Sequence, residues 1–154
     1  ILRPANIIGA TIQNTMSNLL RGDLCPVLMG YDPFLQFIHE SDLSQAIERC
    51  LQNHLVGVYN VAGEGVVSYR KAVELAGSRA IPIPHFLVYG AMGALSRVRL
   101  SLPEHLVDFY RYSAVISDEA FKRDSGYAPR SSTHEALKSL RSIRAVVEPP
   151  HSAV

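Results

Sequence analysis

The 154-residue sequence has no tryptophan, two cysteines and three methionines, and aromatic residues make up only 8% of it. Its two thiols, Cys25 and Cys50, lie far apart with no Cys-x-x-Cys spacing. No charged leader stands before an apolar signal core, so a reducing cytoplasm is the expected compartment, and no metal site is expected. Charge of one sign is also missing as a block. The formal net charge is +1, with both signs scattered along the chain, which leaves no basic stripe for a phosphate backbone and argues against nucleic acid as a partner. The longest run free of charged residues, "AIPIPHFLVYGAMGALS" from Ala80 to Ser96, is interrupted by two prolines and a histidine. Its apolar part falls short of the roughly 20 residues that a membrane-spanning helix needs. There is no internal repeat and no low-complexity tract.

What is present is an ordinary apolar fraction of 47%, enough for one globular domain with a core. The chain opens, without Met, on "ILRPANIIG". Ile1 and Leu2 read as the tail of a buried strand, which Pro4, lacking an N–H, brings to a stop. Such a strand normally sits inside a domain, so a preceding part of the same fold is expected. A helix is predicted over Thr11 to Leu20, with Met16, Leu19 and Leu20 at helical spacing. "VLMG" and "QFIH" read as short strands around the turn "GYDP". The clearest helix follows, where Leu43, Ala46, Ile47, Cys50 and Leu51 fall at i, i+3, i+4, i+7 and i+8, with Ser41 or Asp42 as its cap. "GVYNVAG" reads as a buried strand.

The second half is predicted to be mostly helical. Ser68 caps "YRKAVELAG" and Gly77 closes it with a left-handed residue. "IPIPH" reads as a Pro-rich link to an apolar helix from Phe86 to Val98, and Ser101 with Pro103 opens another through "EHLVDFYRY". "SSTHEALKSLRSI" carries a capping box, Ser132 with Glu135, ahead of Ala136, Leu137, Leu140 and Ile143. "VEPPHSAV" is expected to fray. The fold unit is therefore placed at residues 1–146, with a flexible tail at 147–154.

Alternating strands and helices followed by several helices indicate an α/β protein, whose ligand would lie beyond the carboxyl ends of parallel strands. Asn6 stands at such an end. Its carboxamide can donate to and accept from a phosphate or a sugar hydroxyl, or else it braces its own loop.

Three segments in this order, "LRPANIIG", "GYDPFLQFIHESDLSQAI" and "GVYNVAGEGVVS", resemble the carboxyl-terminal half of extended short-chain dehydrogenases, the NAD-dependent epimerase/dehydratase family. "DEAFKRDSGYAPRSSTHEAL" is similar to that family's closing helix, Gly-aromatic-x-Pro turn and final helix, and the likeness covers roughly residues 1 to 141. It implies the last part of a Rossmann-like, NAD(P)-binding fold with a mostly helical substrate-binding lobe. It also implies NAD or NADP as cofactor, held mainly by a preceding half. Pro4 and Ala5 would border the nicotinamide, and Asn6 would bond the substrate's diphosphate. His39 and Asp42 match the family's His-x-x-Asp at the junction of sheet and lobe. His39 is read as a satisfied core histidine and Asp42 as a helix cap; Asn60 is read as bonding loop backbone near the site.

The chemistry implied is hydride transfer, with a Tyr that has Lys four residues on as the base. No Tyr of this sequence has Lys at that spacing, so no catalytic residue is assigned within it. "GAMGALS", Gly90 to Ser96, has glycine spacing but no strand-to-helix context, and is read as a packed helix face. Leu35 stands where nucleotide-sugar epimerases have an Arg for the diphosphate; Arg97, Arg99 or Arg111 are the alternatives. Two functions remain in view. One is part of an epimerase/dehydratase-type oxidoreductase or isomerase acting on a hydroxyl-bearing substrate such as a nucleotide sugar. The other is a non-catalytic module that senses a dinucleotide or binds a protein. The expected partner is a small-molecule substrate, with homodimerisation left open.

Overall fold

The computed structural model describes residues 1–84 and 110–147. The helices expected over Phe86 to Val98 and through "EHLVDFYRY", the Gly90 to Ser96 segment, Arg97, Arg99 and the end of the tail lie outside the described residues or at their edge.

The chain is mixed α/β. Its first extended segment is two short strands, β1 (Leu2–Pro4) and β2 (Asn6–Ile8), with different partners. β1 pairs in parallel with β6 (Tyr59–Val61), and β2 pairs in parallel with β5 (Phe37–His39). The exchange of partners falls at Ala5, whose N–H still donates to Val61 O at 2.8 Å. β3 (Leu24–Leu28) pairs in parallel with β8 (Arg79–Ile83), and β4 (Phe34–Leu35) pairs antiparallel with β7 (Val67–Ser68). The helices are α1 (Thr15–Arg21), α2 (Glu40–Gln52), α3 (Tyr69–Ala76), α4 (Glu119–Ser125) and α5 (Thr133–Val147).

Strand alternation makes the β2–β5 pair a partition between two cores. Successive side chains of a strand point to opposite faces. Phe37 and Ile8 therefore enter one cluster, with Leu20, Val27, Leu35, Tyr69, Val73, Leu137 and Leu140. Ile38 and Ile7 face the other, with Ala46, Val61, Phe121 and Tyr127. Close approach fixes one residue beside the partition: Gly63 N–H donates to Phe37 O at 3.1 Å, and a Cβ on Gly63 would lie 2.3 Å from that oxygen.

The expected caps of α3 and α5 are present. Ser68 Oγ accepts from Lys71 N–H, and Gly77 ends α3 at φ +80°. Ser132 N–H donates to Glu135 Oε2 at 2.8 Å while Glu135 N–H donates to Ser132 Oγ at 3.2 Å. Elsewhere the structure corrects the sequence reading. α1 begins at Thr15 rather than Thr11, because Asn14 Oδ1 caps it by accepting from Ser17 N–H at 2.7 Å. "VLMG" and "QFIH" do not pair across their turn; each joins a strand remote in sequence. Most of the Pro-rich link is strand β8, with Pro82 opposite Val27. The stripe on α2 is only partly covered, since Ile47 and Leu51 remain 47% and 69% exposed.

Candidate functional site

The exchange of partners at Ala5 lies beside an opening at the carboxyl end of β1. A cleft of about 350 Å³ lies there, bordered by Pro4, Ala5, Asn6, Asn14, Met16 and Tyr110. In open α/β sheets this is where ligands sit, since strand ends that diverge leave a crevice. Pro4, Ala5 and Asn6 are thus brought to one cleft.

Two carboxamides line it, and both are anchored. Asn6 Nδ2 donates to Gln36 O at 3.1 Å. Gln36 is itself fixed, because its Oε1 accepts from Ile116 N–H at 2.8 Å. Asn14 Nδ2 donates to Ile7 O at 2.7 Å while its oxygen caps α1. Each is a preorganised group whose rotamer is set before any ligand arrives.

His39 is not a core histidine. It is half-buried and is the N-cap of α2, its Nδ1 accepting from Ser41 N–H at 3.2 Å and lying 2.7 Å from Ser41 Oγ. It borders a neighbouring cleft of about 420 Å³ with Thr11, Glu40, Ser41 and Ser44. Asp42 is consequently not the cap but sits in the first turn, fully buried, where its two oxygens accept from Arg130 N–H at 3.2 Å and Ser131 N–H at 3.0 Å. It clamps the start of α2 to the segment leading into α5. Asn60 Nδ2 donates to Ser117 O at 3.2 Å. Neither Asp42 nor Asn60 borders these two clefts.

Three contributors escaped the sequence reading. Glu40 accepts from Ala10 N–H at 2.8 Å and from the Thr11 backbone and hydroxyl, so it holds the loop after β2. Burial opposes its charge, but the hydrogen bonds from Thr11 and Ala10 outweigh that and keep the carboxyl below its ordinary range. Asn14 followed by Ser17 was a legible cap signal. Tyr110 had no local signal; it reaches the cleft through tertiary packing alone. Its ring stands edge-on to Tyr69 at 5.2 Å, and burial pushes the pKa of both phenols up, so each stays protonated at neutral pH. Leu35 is fully buried in the larger core, and the Arg111 guanidinium lies over the rings of Tyr31 and Tyr112 at 5.3 and 5.5 Å.

A nicotinamide dinucleotide needs a flat apolar rest for its ring and N–H groups for its pyrophosphate. The bend at Pro4 and Ala5 offers small apolar surface at the strand ends, which suits the ring. The described residues show no Gly-rich strand-to-helix turn for the pyrophosphate.

The fold is Rossmann-like, matching part of each of the larger solved chains below. Among solved structures, the chain is similar to the dTDP-glucose 4,6-dehydratase of Bacillus anthracis in complex with NAD, at TM-score 0.66 and 15% identity over 96% of this chain and 44% of that one. It is also similar to the UDP-glucose 4-epimerase of Thermus thermophilus in complex with NAD, at 0.62 and 18% over 93% and 45%. A third is RMD of Pseudomonas aeruginosa complexed with NADPH, at 0.61 and 17% over 96% and 47%. Among curated proteins it is 30% identical to the uncharacterized protein Rv0501 of Mycobacterium tuberculosis, over 97% of this chain and 41% of that protein. An uncharacterized protein of Mycobacterium bovis matches equally. The chain thus spans about two fifths of the length of these relatives. No protein-family model matches it. Among the described residues no helix is long and apolar enough to cross a membrane, and no group of three potential metal ligands occurs.

Proposed function

We propose that this chain is the carboxyl-terminal, substrate-side portion of an NAD(P)-dependent epimerase/dehydratase-type oxidoreductase or isomerase, acting on a hydroxyl-bearing substrate such as a nucleotide sugar. The observation that carries this reading is the exchange of strand partners at Ala5, which opens the cleft beside Asn6. The nicotinamide cofactor, when bound, accepts and returns hydride. Pro4 and Ala5 border its ring on the substrate side. Asn6, with one amide hydrogen committed to Gln36 O, keeps its carbonyl oxygen and its second amide hydrogen for the substrate. His39 and Asp42 hold the start of α2 in place behind the cleft.

The test is calorimetric titration with NAD and NADP of residues 1–154 alone and of the full-length protein. The chain alone is expected to bind neither below millimolar concentration, and the full-length protein to bind one of them in the micromolar range. Micromolar binding by the chain alone would overturn the division of labour, because the described residues supply no Gly-rich turn for the pyrophosphate.

The burial of Leu35 favours a second reading, a dinucleotide sensor without a diphosphate substrate, since that position turns an apolar side chain into the core. Turnover of any sugar nucleotide by the full-length protein would exclude it.

A further inference from the structure

The cleft beside Asn6 has one aromatic wall, and the chain fixes it from behind. Tyr110 is half-buried and packs against the larger core. Its ring meets that of Tyr69 edge-on, with centroids 5.2 Å apart and an interplanar angle of 64°, the arrangement in which a positive ring edge meets a negative ring face. The two hydroxyls share a hydrogen bond. Tyr69 is itself immobilised: it is 1% exposed, its hydroxyl donates to Pro26 O at 3.0 Å, and Cys25 Sγ lies 3.1 Å from the Tyr69 hydroxyl oxygen. Tyr110 borders the cleft beside apolar Pro4, Ala5 and Met16 and the carboxamides of Asn6 and Asn14.

We infer that Tyr110 is a specificity-determining residue of this cleft, a fixed aromatic wall against which a hydroxyl-bearing saturated ring lays its C–H face while its hydroxyls meet the carboxamide edge. The inference rests on the function proposed above and names the feature of the substrate that the cleft selects. An aromatic face, electron-rich at its centre, attracts weakly positive C–H groups and repels hydroxyl oxygens. A ring that does not move discriminates between substrates, because a misfit cannot be relieved by rotation. The Tyr69 and Cys25 contacts serve that immobility.

The experiment uses the full-length protein saturated with NAD, with UDP-glucose as the probe, read by calorimetry. Tyr110→Ala is expected to weaken UDP-glucose binding at least tenfold, and Tyr110→Leu, which keeps bulk without a ring, at least fivefold. Tyr110→Phe is expected to stay within threefold of the parent, since it keeps the ring. NAD affinity should change less than twofold in all three. A Tyr110→Leu protein that binds UDP-glucose like the parent would overturn the aromatic wall, as would equal losses of UDP-glucose and NAD affinity in the two ring-deleting variants. A parent protein that binds NAD but no UDP-glucose would overturn the selection of a hydroxyl-bearing ring while leaving the dehydrogenase reading standing. A parent that binds neither NAD nor NADP would overturn that reading and the inference with it.

Discussion

Asn6 has a structural duty and a proposed binding duty. Its amide donates to Gln36 O and so ties β2 to the segment entering β5, and the residue also borders the cleft. Asn6→Ala should lower stability by about 1 kcal/mol, the net worth of one such hydrogen bond. Asn6→Asp should cost more, about 2 to 3 kcal/mol at pH 7, because a carboxylate placed against a carbonyl oxygen repels it and stays partly desolvated. Urea unfolding of the two variants checks this; an Asp variant as stable as the parent would show that the Gln36 contact is not made. That β1 stops at Pro4 was legible, because proline has no N–H for the ladder; that Asn6 begins β2 instead of ending a strand was not, since β2 takes a different partner. The hydrogen-bond partner of Asn6 was not legible either, since Gln36 lies 30 residues away. His39 shows the same division. A histidine before a helix carries no strong capping signal, and its role follows only from where Ser41 points.

Among elements, the loop between β2 and α1 depends on a carboxylate from α2. Glu40 receives the Ala10 and Thr11 N–H groups, and Arg21 reaches back from α1 to the carbonyls of Ala10 and Ile12. The loop lines both clefts, through Asn14 on one side and Thr11 and Ile12 on the other, so its position shapes both. The Glu40 carboxyl is held below its ordinary range despite the opposing effect of burial. A group whose folded pKa is depressed contributes stability above its unfolded value, near 4.3, and loses that contribution as pH falls through the folded value. Glu40→Gln should therefore lower the melting temperature at pH 7, and the gap to the parent should narrow below about pH 4. A gap of constant size from pH 7 to pH 3 would mean that the charge is not what holds the loop. Local devices of this kind differ in legibility. The caps at Ser68, Gly77 and Ser132 with Glu135 could be read because their partners lie within one helical turn. The Glu40 clamp spans 30 residues and could not.

On the scale of the molecule, two cores share the β2–β5 partition, and apolar surface remains outside both. Ile1, Leu51, Val56 and Val58 are 80%, 69%, 91% and 51% exposed, and Tyr59 N–H donating to Ile1 O brings the start of β1 beside the last two. Among the described residues, β1 has a partner on one edge only. An unpaired strand edge beside exposed apolar side chains invites association. Residues 1–154 alone are thus expected to enhance the fluorescence of a hydrophobic dye and to associate on concentration. Val56→Lys with Val58→Lys should reduce both. A monodisperse monomer silent to the dye would argue that this surface is covered.

The amino-acid sequence by itself determined what depends on neighbours a few residues away: the α/β class, the positions of most of the described helices, three of the caps, and the strand end at Pro4. Apolar periodicity and cap chemistry act within a turn or two, so they are legible one residue at a time. The tertiary structure alone decided which strands pair, that "IPIPH" contributes to β8, that Asp42 clamps α5 instead of capping α2, and that Tyr110 stands beside Asn6. Those choices rest on contacts between segments tens of residues apart, where many pairings satisfy the same apolar pattern. One is selected only when the faces of Phe37 and Ile38 fill two different cores at once.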